Sequence, residues 1–416
     1  MLDSGAGGRV PSVAPMRLVA LNPWRDLVGL RRESWLIALA TLVNRAGTMV
    51  MPFLVLFLTR DRGLAPSRAG LAIAVYGVVA LVWAPIAGRL GDRWGQLRVV
   101  KASLFSTAGV LVGMPFFHSY GAILGGLVLL ALVSEPVRTA TMALVSHLAP
   151  PERRRQAFAL NRLSVNLGMS IGPTLGGFLA EASFRSLFWV DAATSLLAGL
   201  VLVVVPFRAP RHFHDPAAVP PGSALADRKL LFAMLALLPI LLVFFQHVST
   251  MPLFLVNTLG FRPSVFGALF AVNTLVIVLT EVRLNSITSH WPFPRSLATG
   301  AALATLGFAA LAIARPLPMV VGTVLLWTLG EMILFPAAAA YFSEISPPAQ
   351  RGEYLGFYTM NFAVAFTAGP FLGTVVLERW GGVILWSLCL PVGGLSVWAL
   401  ARISGRRGTA ATTPVS

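Results

Sequence analysis

Charge is scarce in this chain of 416 residues: only 12% are charged, and the acidic residues number 16 against 32 basic ones. Cysteine is scarcer still, since Cys389 stands alone. One cysteine excludes an intrachain disulfide and a thiolate metal cluster. In its apolar run Cys389 reads as a small buried hydrophobe. No HExxH, CxxC or GxxxxGK[ST] string occurs, which removes zinc hydrolysis, dithiol redox chemistry and ATP-driven work within this chain. No metal and no cofactor is expected, and the chain does not read as an enzyme. Residues 1–33 hold Arg9, Arg17, Arg25, Arg31 and Arg32 but no long apolar stretch, so they are not a secretory signal. Residues 21–35 are weakly amphipathic; they either lie along a membrane surface or act as a plain basic flank. The net charge of +16 brings no basic face interleaved with aromatics, which argues against a nucleic-acid partner.

Apolar residues are what the chain has in abundance. They make up 56% of it, and the mean hydropathy is +0.78. A soluble core of this composition would leave too much apolar surface in water. Runs of about 20 apolar residues match the length of a bilayer-spanning helix, which satisfies its own backbone hydrogen bonds in lipid. Twelve such runs are expected, near 35–59, 69–90, 99–117, 121–148, 157–181 and 187–206. The second set lies near 231–257, 264–284, 296–314, 319–345, 353–378 and 383–402. The fold expected is therefore an all-α membrane protein whose transmembrane helices form two pseudo-symmetric six-helix bundles.

The basic residues sort themselves by gap. Alternate gaps hold Arg89, Arg93, Arg98, Lys101, Arg153, Arg154, Arg155, Arg208, Arg211, Arg228, Lys229, Arg283, Arg295 and Arg351. The others hold only Arg60, Arg62, Arg68, Arg185, Arg262, Arg315 and Arg379. The positive-inside rule then places both termini in the cytoplasm, with the plasma (inner) membrane of a bacterium as the expected location. The domain plan is a cytoplasmic segment at 1–33, bundles at 34–206 and 231–402, a Pro-rich cytoplasmic linker at 207–230 and a tail at 403–416. His212 and His214 in the linker have no third ligand nearby and read as solvated.

The halves also repeat. At one fixed offset Pro150 meets Pro347, Arg154 meets Arg351, Gly172–Pro173 meets Gly369–Pro370, and Gly176 meets Gly373. Trp94 meets Trp291 and Arg98 meets Arg295 at the same offset. Two repeated six-helix halves are a transporter architecture, with the substrate site at their interface near mid-membrane.

Two short stretches carry a family resemblance. GRLGDRWGQLR (88–98) falls between the second and third runs and resembles motif A of the major facilitator superfamily. Gly88, Leu90, Asp92, Arg93, Gly95 and Arg98 supply the pattern, while Gln96 stands where a basic residue is common. Its expected work is a latch: Asp92 either closes a helix N-terminus or pairs with Arg93, Arg98 or a helix of the other half. The plain alternative is a basic hairpin that only sets topology. The second-half counterpart has Ser289 in place of Asp92, so the latch is asymmetric. NLGMSIGPTLGG (166–177) resembles motif C of the drug:proton antiporter branch, with Gly168, Gly172, Pro173, Gly176 and Gly177 in place. Gly168, Gly172 and Gly176 share one helical face and permit close helix contact, and Pro173 adds a kink. The resemblance implies export of a small amphipathic compound in exchange for protons. A symporter or uniporter that imports a metabolite, and a non-transporting receptor or scaffold, are the alternatives. The expected partners are a small-molecule substrate, protons and the lipid bilayer, with the monomer as the working unit.

Ionisable side chains inside the runs are costly and normally face a cavity or a partner. Glu135 and Arg138 stand three residues apart and can pair on one face. Glu135 and Glu331 each precede a proline shortly, so the two stretches echo each other, and both are expected proton carriers; a static ion pair is the plain alternative. Burial favours a neutral carboxyl and a nearby guanidinium favours the carboxylate, so alternation between those surroundings couples protonation to movement. Arg45 has no acidic neighbour in its own run. It either pairs with Glu135, the primary expectation, or binds an anionic substrate group. The acidic residue of the first helix that some drug antiporters carry is absent. The basic residue early in the fourth helix of many relatives is also missing, with Arg138 lying further along. Arg162 is a further coupling candidate, and Glu281, near a helix end, reads as structural. Asn44, Asn166, Gln246, Asn361, Asn273, Tyr358 and Phe245 are expected to line the cavity, and His247 to be packed.

Overall fold

The computed structural model describes residues 30–148, 154–204, 226–288, 290–347 and 351–403. Most of the expected linker, with His212 and His214, lies outside the described residues, as do Ser289, residues 1–29 and the tail from 404. Every described regular element is helical. The first-half helices are α1 (Arg32–Ala46), α2 (Val50–Leu56), α3 (Pro66–Trp94), α4 (Gln96–Gly113), α5 (Tyr120–Leu148), α6 (Arg154–Ala182) and α7 (Phe184–Val204). The second-half helices are α8 (Arg228–Phe244), α9 (Thr250–Leu253), α10 (Pro263–Thr288), α11 (Phe293–Ala309), α12 (Leu317–Ile345) and α13 (Arg351–Leu400).

Among the described residues ten helical segments are long and apolar enough to cross a membrane. The last of them, Glu353–Leu400, is interrupted at Gly381, where φ is 80° and ψ 172°. The helix α6 stands outside the ten; Gln156, Asn161, Arg162 and Asn166 make it more polar than its neighbours. Large apolar side chains such as Val204 and Leu235 remain exposed on the outside, as lipid-facing positions require.

Two runs are broken where a straight helix was expected. Residues 47–49 separate α1 from α2, and a short 3-10 stretch with Ser249 separates α8 from α9. Both broken runs end in a π-helical turn, Phe57–Asp61 and Phe254–Thr258, followed by a glycine at positive φ, Gly63 and Gly260. These features recur at an offset of 197 residues, the same separation that joins Arg60 to Asn257. The repeat read from glycines and prolines thus extends to backbone irregularities.

The halves pack through α3 against α13, α6 against α10, and α2 against α9. One buried cluster draws on both halves, with Phe53, Phe57 and Phe188 beside Phe254, Phe266 and Trp386. A second cluster (Ile37, Val99, Leu104, Leu144, Leu160, Ala198) belongs to the first half alone, and Leu90 and Leu97 pack on it. The first half therefore shares its core with the second at the end opposite residues 88–98.

At the near end, the 88–98 stretch is more helical than its reading as a connection implied. The helix α3 runs on through Trp94, and the turn is a single residue, Gly95, with φ 92° and ψ 127°. Its N–H donates to Gly91 O at 2.9 Å and its carbonyl accepts from Arg98 N at 3.1 Å. Arg93, Trp94 and Arg98 are exposed. Only glycine adopts this backbone without strain, so Gly95→Ala is expected to cost about 1–3 kcal/mol. Gly88 has open space around its Cα, and Gly88→Ala is expected to fall within about 0.5 kcal/mol of the parent. Thermal unfolding of the two variants in detergent checks both.

Candidate functional site

A cavity of about 410 Å³ lies between the halves. Its first-half wall is α6, through Arg162, Asn166 and Met169. Its second-half walls are α10 (Phe270, Asn273, Glu281), α12 (Glu331, Phe335) and α13 (Tyr358). The apolar part is aromatic: Phe335 packs edge-on against Phe362 at 5.1 Å, and Tyr358 does so at the same distance. The polar part holds three charged side chains. Arg162 Nη2 donates to Glu281 Oε1 at 2.7 Å, bridging the two halves. Glu331 Oε1 accepts from Asn273 Nδ2 at 2.7 Å, and among the described residues no cation pairs with it. Two carboxylates against one guanidinium leave the cavity one negative charge in excess when both are ionised.

The echo between Glu135 and Glu331 does not hold in three dimensions. At the repeat offset of 197, Glu331 corresponds to Ser134 and Glu135 to Met332. The hydrogen bonds confirm this register: Tyr76 with Ser134 at 3.2 Å occupies the place of Asn273 with Glu331. One position along a helix is about 100° of rotation. Glu331 therefore lines the cavity, while Glu135 is buried and accepts from Arg138 Nε at 3.0 Å, with Arg138 Nη2 closer still. Removing the guanidinium strands a buried carboxylate. Arg138→Leu is expected to cost about 2 kcal/mol, below the ~3–5 of a fully enclosed pair, because the Arg138 side chain is 51% exposed. Adding Glu135→Gln is expected to restore most of that, which a double-mutant cycle on thermal unfolding measures.

Asn44, Arg45 and Arg138 line a separate space of about 70 Å³ inside the first half, between α1, α4, α5, α6 and α7. The expected ion pair of Arg45 with Glu135 is not formed; Glu135 is already taken by Arg138, and Arg45 makes no ion pair among the described residues. Its electrostatic neighbours include Tyr76, Glu135 and Asp191. Asp191 belongs to neither motif and has no glycine or proline beside it to mark it in the sequence. It is a lone carboxylate in FWVDAATS (188–195), 7% exposed on α7, and its Oδ2 accepts from Val50 N at 3.5 Å across the break between α1 and α2. The same break is tied to α7 by Asn44 Nδ2, which donates to Ser195 Oγ at 3.1 Å.

Gln246 and Asn361 lie away from the cavity wall. The Gln246 amide donates to Leu242 O and Gly369 O at 2.8 and 2.9 Å and accepts from Thr250 Oγ1. Asn361 Nδ2 donates to Met234 O at 3.0 Å. Both amides pin α8 to its surroundings, so they are committed before any ligand arrives. His247 is packed between Trp327 and Phe270, and its Nδ1 lies 2.6 Å from Phe244 O. The glycine face of 166–177 meets the broken first run: a Cβ on Gly172 would stand 3.1 Å from Arg45 O and one on Gly176 3.1 Å from Met49 Cβ. Gly177 faces the other half, 2.8 Å from Ser264 Cα by the same measure, and Pro173 lies within α6. The string GMSIG (168–172) has the letters of a hydrolase nucleophile elbow. It sits inside continuous α6 rather than at a strand-to-helix turn, so it has none of that geometry.

The model of the Major Facilitator Superfamily matches residues 36–370 and 247–414. The chain is 25% identical over 373 residues to an uncharacterised MFS-type transporter, YqjV of Bacillus subtilis, covering 87% of this chain and 89% of that one. It is 23% identical to the multidrug resistance protein MdtH of Aeromonas salmonicida, covering 82% and 86%. A crystal structure of the nucleoside transporter NupG superposes with a TM-score of 0.73 at 12% identity, over 90% of this chain and 99% of that one. The all-helical fold, the cavity between repeated halves and these likenesses converge: the chain belongs to the Major Facilitator Superfamily and is a membrane transporter, not an enzyme.

Proposed function

We propose that this transporter exports a small amphipathic compound in exchange for protons, by alternating access of a cavity between two six-helix bundles. In this reading α1 with α2, α8 with α9, the two parts of α13 on either side of Gly381, and α6 each count toward twelve spans. The segment at 207–230 joins the bundles, both termini face the cytoplasm, and one chain is the working unit. The basic bias of the 88–98 side supports that orientation, and the likeness to a multidrug resistance protein supports export.

The observation that carries the proton coupling is Glu331. Its carboxylate lies on the cavity wall with an amide for a partner and no cation among the described residues. Such a group is free to exchange a proton with water or with a substrate, whereas Glu135 is held by Arg138. Arg162 and Glu281 join the halves beside it. Purified protein in vesicles with an imposed pH gradient, challenged with ethidium and a panel of neutral and cationic amphiphiles, tests the reading. Compound movement against its own gradient, accompanied by opposite proton movement, is the expected result. Compound movement in the same direction as protons, or with no proton signal, replaces antiport by symport or uniport.

A further inference from the structure

Two glutamates sit where their own helices disfavour them. Glu181 lies in the last turn of α6, and Glu378 lies three residues before the Gly381 break of α13. Negative charge at a helix C-terminus meets the negative end of the backbone dipole. Each carboxylate is instead satisfied by the opposite half of the chain. Glu378 Oε2 accepts from Ser67 N at 2.7 Å, and Glu181 Oε1 accepts from Ser264 N at 3.1 Å. Ser67 and Ser264 are the second residues of α3 and α10, each directly after a proline at the first position. Their N–H groups are among those a helix start leaves without an internal partner, at the positive end of its dipole. The conflict inside each helix is thus resolved only when the two halves are together.

The two contacts are one contact used twice. Ser264 follows Ser67, and Glu378 follows Glu181, by the repeat offset of 197. A third interaction at the same end uses the opposite sign. Arg60 Nη2 donates to Val256 O at 3.2 Å and its Nε to Asn257 Oδ1 at 2.7 Å, so a cation meets the carbonyl end of a helix in the other half.

We propose that Glu181 and Glu378 form a paired latch that holds the halves together at the end opposite residues 88–98. Each carboxylate closes the start of a helix belonging to the other half. The latch rests on the alternating-access reading, in which this end faces outward and must open once per cycle. It is built to yield: both glutamates are exposed, so water competes for the carboxylates as soon as the halves separate. The glycines beside the latch let the backbones approach, since a Cβ on Gly267 would run into Pro173 O and one on Gly70 into Thr374 Oγ1.

The test places spin labels at His118→Cys and Arg315→Cys in the full chain carrying Cys389→Ser, reconstituted in lipid. Both label positions are exposed, one in each half at the latched end, and they are themselves related by the repeat offset. Electron–electron distance measurements report the ratio of separated to closed molecules. Each of Glu181→Gln and Glu378→Gln is expected to raise that ratio about two- to threefold, and the double variant about four- to ninefold, on the scale of exposed charge at a helix end. Ser67→Pro removes the backbone donor together with the Ser67 hydroxyl that also faces Glu378. It is expected to raise the ratio in the parent and to add nothing to Glu378→Gln, whereas it still adds to Glu181→Gln. The latch is overturned if the double variant leaves the ratio of the parent unchanged, or if Ser67→Pro adds fully to Glu378→Gln. A parent with one distance under every condition overturns alternating access and the latch with it. Unchanged ratios in a parent that shows both distances overturn the latch alone.

Discussion

Glu331→Gln is expected to reduce proton-driven transport to the rate of protein-free vesicles while leaving the protein folded. The glutamine keeps the size of the side chain and an oxygen for Asn273 Nδ2, which now meets Glu331 Oε1 at 2.7 Å. It loses only the site where a proton can bind. An ionised carboxylate placed at the centre of a span costs about 2.5–3.5 kcal/mol on insertion scales, and a neutral amide costs less. Thermal unfolding of the variant should therefore match the parent or exceed it. The combination separates function from folding: lost exchange with an unchanged or higher melting temperature places the coupling at Glu331. Retained proton exchange in Glu331→Gln would move it elsewhere. Glu135→Gln serves as the companion variant, because its carboxylate is held by Arg138 and is not among the residues that line the cavity holding Glu331. Exchange in that variant is expected to stay within about twofold of the parent, the size of effect ordinary for a change remote from a site.

The difference between those two glutamates shows how far a sequence can be read. Helical runs, their approximate ends and the repeat follow from hydropathy and from the spacing of glycine and proline, which act locally. The rotation of a helix about its axis does not follow. Glu135 and Glu331 look alike beside their prolines, yet they occupy neighbouring rather than equivalent positions in the repeat, and about 100° of rotation separates an ion pair from a cavity wall. The register is present in the sequence, since Glu331 aligns with Ser134 at the offset of 197, and the echo beside the prolines runs one residue out of step with it. Gln246 and Asn361 illustrate a second limit. A polar residue in an apolar run announces that it has a partner, and only the packing tells whether the partner is a ligand or a backbone carbonyl. The latch pair illustrates a third. Glu181 and Glu378 lie at the ends of runs, where charge is unremarked, and their relation to Ser67 and Ser264 depends on contacts between segments over eighty residues apart. Asp191 was legible in principle, as a lone carboxylate in its run.

Gly168→Leu is expected to have the largest effect on stability. A Cβ at this position would stand 2.9 Å from Ala46 N and from Arg45 C, both backbone atoms of the α1 end, and closer still to Arg45 Cβ. Backbone cannot yield as the tip of a flexible side chain does, so α6 and the first run must separate. That separation propagates, because the same glycine face meets residues 45–53 through Gly172 and Gly176. The break between α1 and α2 is in turn held from the other side by α7, through Asp191 to Val50 N and Asn44 to Ser195. The α1–α2 run is therefore clamped between α6 and α7 and has no direction in which to retreat. Overpacking ordinarily costs about 1–3 kcal/mol, and here the upper end or beyond is expected, seen as a lower melting temperature and a reduced monodisperse yield in detergent. Gly109→Leu is the control, since that glycine also sits in a helix but has no atom within reach of a Cβ. Equal stability of the two variants would show that the glycine face is replaceable and that the α1–α2 break is held by α7 alone. A selective loss in Gly168→Leu would assign the glycine stripe of residues 166–177 the task of holding that break in place beside the cavity.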